Sequence, residues 1–160
     1  MKQLIILRHA KAERLHPDGD RARRLTERGE RDSALAGQTV LEAAGMPDAI
    51  VSSDAIRAMQ TADIVANTIA FPAEIVEEPA IYGANVDELI LVVRALPGDA
   101  STIVLVGHNP GFLELINWFA GEDGQREHLP TAAFAIVSGA VHEWAELDAA
   151  TTSVSPVVSP

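Results

Sequence analysis

The chain has no cysteine in 160 residues, which excludes a disulfide framework, a thiolate zinc or iron–sulfur site and a cysteine nucleophile. No apolar run approaches the roughly 18 residues of a membrane span, and residues 4–7 are too few for a signal-peptide core, so a cytoplasmic protein is expected. The phosphate loop GxxxxGK[ST] is absent, and no GxGxxG follows the first strand. HExxH and EF-hand patterns are missing too, and the histidines are scattered at positions 9, 16, 108, 128 and 142. Positive charge is scarce: 12 Lys and Arg stand against 23 Asp and Glu, for a net charge of −11. That balance argues against a nucleic-acid or anionic-membrane surface, because phosphate backbones reward clustered cations.

What is present is the composition of a globular protein, 48% hydrophobic and 22% charged. The length is that of one domain, expected over residues 1–149. The cations are concentrated at one end. Residues 1–31 hold nine Lys and Arg against five Asp and Glu, whereas the remainder holds three against eighteen. Arg14, Arg21, Arg23, Arg24, Arg28 and Arg31 read most simply as a solvated coat. The sharper alternative is a small basic funnel for an anionic substrate.

Short apolar β-type runs alternate with longer helical ones, which predicts an α/β layer fold. Strands are expected at residues 3–7, 49–52, 74–77 and 102–106. Thr26 is placed to cap a helix to about Ala44, and Ala55, Met59, Ala62, Ala66 and Ile69 recur at helical spacing. Asn85 and Glu88 have capping-box spacing ahead of a helix to about Leu96. Asn109 is read as the cap of a helix with Pro110 in its first turn, running to about Ala120; its Phe112, Leu115, Ile116 and Phe119 read as core. Residues 132–137 and 140–147 flank Ser138 and Gly139 as an expected hairpin, which would leave His142 on the surface beside Trp144 and Glu146. His16 and His128 read as loop residues. The uncharged, proline-containing residues 150–160 are expected to form a frayed tail.

Three polar clusters follow apolar strands directly: Arg8 and His9 after LIIL, Ser52, Ser53 and Arg57 after AIV, and Gly107 and His108 after TIVLV. Ligands of open α/β sheets bind at the carboxyl ends of strands. A lone histidine there is commonly a structural group and a lone arginine a surface ion pair, but three such clusters together point to a site. Arg57 falls in the first turn of its helix, where the macrodipole disfavours a cation by about 0.3–1 kcal/mol. An anion is therefore expected beside it, either Asp54 or a bound phosphate. A zinc ion shared by His9 and His108 is disfavoured because two arginines would repel it. Two histidines and two arginines around one anion suit phosphoryl transfer, with a neutral imidazole as nucleophile and guanidinium groups neutralising the equatorial oxygens.

The segments LIILRHAKA, VSSDAIRAMQTA and VLVGHNPGF resemble the histidine phosphatase superfamily in order and spacing. The RHAK start, LTERG at 25–29 and VGHNPG are more similar to the SixA-type phosphohistidine phosphatase branch than to the larger phosphoglycerate mutases. The likeness covers residues 3 to about 120. It implies a three-layer α/β/α sandwich with a mostly parallel central sheet, phosphoglycerate mutase-like, that needs no metal or other cofactor. It also implies His9 as the nucleophile that becomes phosphorylated, Arg8, Arg57 and His108 as phosphoryl ligands, and Ser53 in a supporting role. Lys11 follows the phosphohistidine branch.

The resemblance leaves the general acid unassigned, with Glu77, Glu78, Asp87, Glu88, Asp18 and Tyr82 as candidates by region. A phosphorylated histidine leaves as an imidazole that needs little help, whereas a phosphate ester expels an alkoxide that does. The expectation is a metal-independent phosphatase for phosphohistidine on a partner protein, monomeric, with no nucleic acid or membrane partner. A phosphomonoesterase of small metabolites with the same site, and a catalytically weak phosphate-binding regulatory module, are the alternatives.

Overall fold

A computed structural model describes residues 1–160. Six strands, β1 (Lys2–Arg8), β2 (Ala49–Ser52), β3 (Val76–Glu77), β4 (Thr102–Gly107), β5 (Phe134–Gly139) and β6 (Thr152–Val154), form one sheet. Their order is β3-β2-β4-β1-β5-β6. β1 to β4 are parallel, β5 runs antiparallel to β1, and β6 antiparallel to β5. The helices are α1 (Glu27–Ala44), α2 (Ile56–Thr68), α3 (Val86–Arg94) and α4 (Gly111–Ala120).

The period of two along each strand divides the interior into two cores. Leu4, Ile6, Ile103 and Leu105 point to one face, where Leu89 and Val93 of α3 and Phe112, Leu115 and Ile116 of α4 cover them. Ile5, Leu7, Val104 and Val106 point to the other, against Ala36 and Val40 of α1 and Ala58, Ala62 and Val65 of α2. Each of these strand side chains is fully buried, contributing about 1.5–3 kcal/mol by leaving water. Covering on both faces is why the central strands read as unbroken apolar runs. The α/β/α sandwich is as expected.

Local signals set two helix starts. The Thr26 hydroxyl accepts the Gly29 N–H at 3.1 Å, and Asn85 and Glu88 exchange two capping bonds of 2.9 Å. Pro110, not Asn109, is the residue before α4: the Asn109 side chain turns its amide nitrogen to the Leu129 carbonyl at 2.9 Å, and its Oδ1 caps no helix N–H.

The carboxyl-terminal region departs from expectation. No hairpin turns at Ser138 and Gly139. Beyond β5 the chain takes a 3-10 turn at Trp144–Glu146 and buries Trp144 and Leu147 in the core beside α3. Their spacing of three suits that turn and not a strand, and the Trp144 indole donates to the Pro97 carbonyl at 2.8 Å. His142 is exposed. Residues 150–160 are not a frayed tail either. Thr152–Val154 pair with β5, Val158 and Phe134 exchange two backbone hydrogen bonds of 2.8 and 3.0 Å, and Arg126 donates to the Val154 and Ser155 carbonyls. This segment covers what would otherwise be an open sheet edge. Deleting residues 151–160 should lower the melting temperature by roughly 5–10 °C, as the loss of a few net backbone hydrogen bonds implies for a chain of this size. An unchanged melting temperature would show that the pairing adds no stability.

Candidate active site

The β1–β4 register sets Arg8 opposite Gly107, and the His9 N–H donates to the Gly107 carbonyl at 2.9 Å. Ser52 lies opposite Val106, and the Ser53 N–H donates to the Val106 carbonyl at 3.0 Å. Three strand ends are thereby level, and His9, Ser53 and His108 leave the sheet at one edge. Gly107 leaves no choice of residue there: a Cβ would overlap the Phe112 ring and the Ile81 side chain. The two histidine rings lie 5.1 Å apart, centroid to centroid.

His9 is buried, and its Nδ1 lies 2.8 Å from the Ala10 carbonyl oxygen. A carbonyl only accepts, so Nδ1 carries the proton and Nε2 holds the lone pair. The second contact agrees, since Arg57 Nε donates to His9 Nε2 at 3.3 Å. Burial pushes the His9 imidazole down to about 4, with Arg57 and Arg8 adding to the effect and the Ala10 hydrogen bond opposing it. His108 is pushed down to about 3, again chiefly by burial and then by His9 and Arg57. Its Nε2 lies 2.8 Å from Ser53 Oγ, while its buried Nδ1 has no protein partner. Both rings are neutral at pH 7, and a neutral His9 is the form that can attack phosphorus.

Arg57 occupies the first turn of α2 with its side chain 7% exposed. The anion it requires is Asp20, to which no sequence motif points. Arg57 Nη1 donates to the Asp20 backbone carbonyl at 2.7 Å and Nη2 to Asp20 Oδ2 at 3.1 Å. Asp54, the partner expected from proximity in sequence, pairs instead with Arg21 at 3.6 Å. Asp20 also accepts the Tyr82 hydroxyl at 2.5 Å on Oδ2 and Arg23 Nη1 at 2.9 Å on Oδ1. The Tyr82 hydroxyl, followed by Arg23, holds this carboxyl far below the usual range, and the same bond pushes Tyr82 up. The Tyr82 ring meets His108 edge-on at 5.5 Å, and the Arg21 guanidinium lies 4.2 Å from the centre of the Tyr82 ring. The only sequence signal for Asp20 was the helix-start cation itself, which demanded an anion without naming it.

Arg8 donates from Nη1 to the Leu129 carbonyl at 3.0 Å, and its buried Nε is unpartnered. The loop that follows His9 is clamped by the LTERG segment. Thr26 donates from its N–H (2.9 Å) and its hydroxyl (3.2 Å) to the Lys11 carbonyl, against which a Cβ at Gly29 would collide. Of the six candidate acids, only Tyr82 joins the network. Glu78 caps the Ala80 N–H, Glu88 is half of a capping box, and Asp18, Glu77 and Asp87 are exposed. No three His, Cys, Asp or Glu side chains are grouped as a metal site.

A model of the histidine phosphatase superfamily (branch 1) matches residues 4–82. Rv1276c, an uncharacterised protein of Mycobacterium tuberculosis, is 33% identical over 153 residues, covering 89% of this chain and 92% of that protein. The chain belongs to the histidine phosphatase superfamily. Among solved structures of the superfamily fold, one from Nakamurella multipartitia, assigned as the phosphohistidine phosphatase SixA, superposes with a TM-score of 0.86 at 28% identity, covering 99% of this chain and 96% of that one. The Agrobacterium tumefaciens protein of the same assignment gives 0.82 at 24% identity over 99% and 98% of the two chains. Within the superfamily this chain falls in the SixA-type branch.

The two buried imidazoles of this histidine phosphatase make its stability depend on pH. Their folded values, about 4 and about 3, lie below the ordinary 6.5, so the unfolded chain binds more protons between these limits. Stability is full above pH 6.5 and is lost as pH falls toward 4. The melting temperature should drop across that interval, and His108→Asn should flatten the drop; a wild-type profile with no slope would contradict the desolvation of both rings.

Proposed function

We propose that this protein hydrolyses phosphorylated histidine on a partner protein by double displacement through His9. The reading rests above all on one observation: a neutral His9 presents the Nε2 lone pair beside Arg57, while the carboxylate bonded to Arg57, Asp20, stays ionised. A nucleophile is available, but no acidic proton stands ready for an alkoxide, which favours P–N over P–O substrates. The assignment of the Nakamurella protein as a phosphohistidine phosphatase supports the same substrate class.

In the first step His9 Nε2 attacks phosphorus, the bond from phosphorus to the substrate nitrogen breaks, and the electron pair returns to the departing imidazole. Arg8 and Arg57 balance the charge on the equatorial oxygens. A bound dianion raises the affinity of His108 for a proton, so that ring can donate to a phosphoryl oxygen once substrate is present. In the second step water attacks the phosphoryl group on His9, the P–Nε2 bond breaks, His9 regains its lone pair and phosphate leaves with the water's oxygen. Ser53, through its 2.8 Å contact, holds the His108 ring in place.

A protein substrate fits the surroundings of the site. Tyr82 also lines an open groove of about 510 Å³ with Glu78, Glu88 and Leu91, and Leu91 is 64% exposed. Such a groove can receive the chain that carries the phosphohistidine. No helix is long and apolar enough to cross a membrane.

Phosphate release from a phosphohistidine protein, measured beside phosphoserine, phosphotyrosine and small phosphate esters with EDTA present, should favour phosphohistidine and vanish in His9→Ala. Arg57→Ala should lower kcat/KM by about 10² or more. Preference for a small ester would move the function to metabolite dephosphorylation, and covalent phosphate trapped by His9→Ala would remove His9 as the nucleophile.

A further inference from the structure

His9, Arg57, Asp20, Tyr82 and His108 form a closed circuit. Arg57 bonds His9, Asp20 bonds Arg57 and Tyr82, Tyr82 packs on His108, and the His108 ring faces that of His9. Asp20 and Tyr82 thus border the site between Arg57, which bonds His9 Nε2, and the His108 ring. An ionised carboxylate offers about four lone-pair directions. Arg57 and Tyr82 fill those of Oδ2, and Arg23 takes one of Oδ1. The remaining direction of Oδ1 is open, on a side chain 49% exposed, in contrast to Arg57 at 7%.

We infer that Asp20 is a specificity-determining residue that accepts a hydrogen bond from the free ring N–H of the substrate's phosphorylated imidazole. The inference rests on the proposed phosphohistidine activity and assigns a role within it. An imidazole phosphorylated on one nitrogen departs readily when the other nitrogen is protonated. His9 forms its bond to phosphorus, the P–N bond breaks, the electron pair returns to the ring, and the ring leaves neutral with the proton it already carried. A carboxylate at that N–H stabilises the cationic ring and raises its pKa from near 6.5 by about 1–3 units. The charged groups facing the carboxylate are Arg57, 3.1 Å from Oδ2, Arg23, 2.9 Å from Oδ1, and, beyond Tyr82, Arg21. The same negative charge works against an ester, whose leaving oxygen gains charge beside it.

The full-length protein is assayed with phosphoimidazole and with p-nitrophenyl phosphate, whose leaving group needs no proton, at pH 6 and pH 8. Asp20→Asn disturbs Arg57 and lowers both activities to some degree. Beyond that common loss, kcat/KM for phosphoimidazole should fall about tenfold further at pH 8, with the gap closing at pH 6, where the ring is already protonated. Asp20→Glu should restore the ratio, and Tyr82→Phe, which keeps the charge, should leave it near wild type. An equal, pH-independent loss on both substrates would reduce Asp20 to a positioning residue for Arg57 and overturn the inference, as would no loss at all. Wild-type protein that cleaves p-nitrophenyl phosphate but spares both phosphoimidazole and a phosphohistidine protein would remove the proposed function itself, a result separate from the ratio.

Discussion

The parallel pairing of β1 with β4 is the constraint on which the site depends. Arg8 opposite Gly107 brings two histidines 99 positions apart in sequence to rings 5.1 Å from each other. A slip of one residue would turn every side chain of β1 to the opposite face, exchanging the residues of the two cores and aiming His9 away from His108. The register is secure because both faces are filled with matched apolar side chains from four helices. Gly107 belongs to the same arrangement, since the ring of Phe112 packs where any other residue would place a Cβ.

Electrostatics then sort the groups that the register gathers. Burial keeps both imidazoles neutral, which suits a nucleophile and a conditional proton donor. It cannot do the same to guanidinium groups, whose intrinsic basicity is too high. Arg57 is instead matched by an internal anion at a helix start, where the backbone dipole adds to the demand for negative charge. On a chain of net charge −11, Arg8, Arg23 and Arg57 give the site a local charge opposite in sign to that of the whole chain.

Several elements were readable because their causes are local. The Thr26 cap, the Asn85–Glu88 box and the two-sided apolar strands act through neighbours within a few residues, and each recurs in the structure. The strand-end clusters were readable for a related reason, as a polar residue just past a buried strand has few other places to go. The misread features share the opposite property. Trp144 turns inward to meet Pro97, residues 152–154 add a strand to β5, and Asn109 bonds Leu129. Each partner is distant in sequence, and no local pattern announces it.

The amino-acid sequence by itself determined the α/β class, the capped starts of α1 and α3, and the segments just past the strands that carry His9, Arg57 and His108, because secondary structure and burial follow from short-range periodicity. Tertiary structure alone decided which anion answers Arg57. Asp54 is three residues away along the chain, but the start of α2 directs the guanidinium toward the 3-10 turn that holds Asp20. The Tyr82 hydroxyl then reaches that carboxylate across 62 residues of sequence, and its ring meets His108. Ion pairs and hydrogen bonds depend on direction and on separations of a few ångströms, which only the folded chain sets.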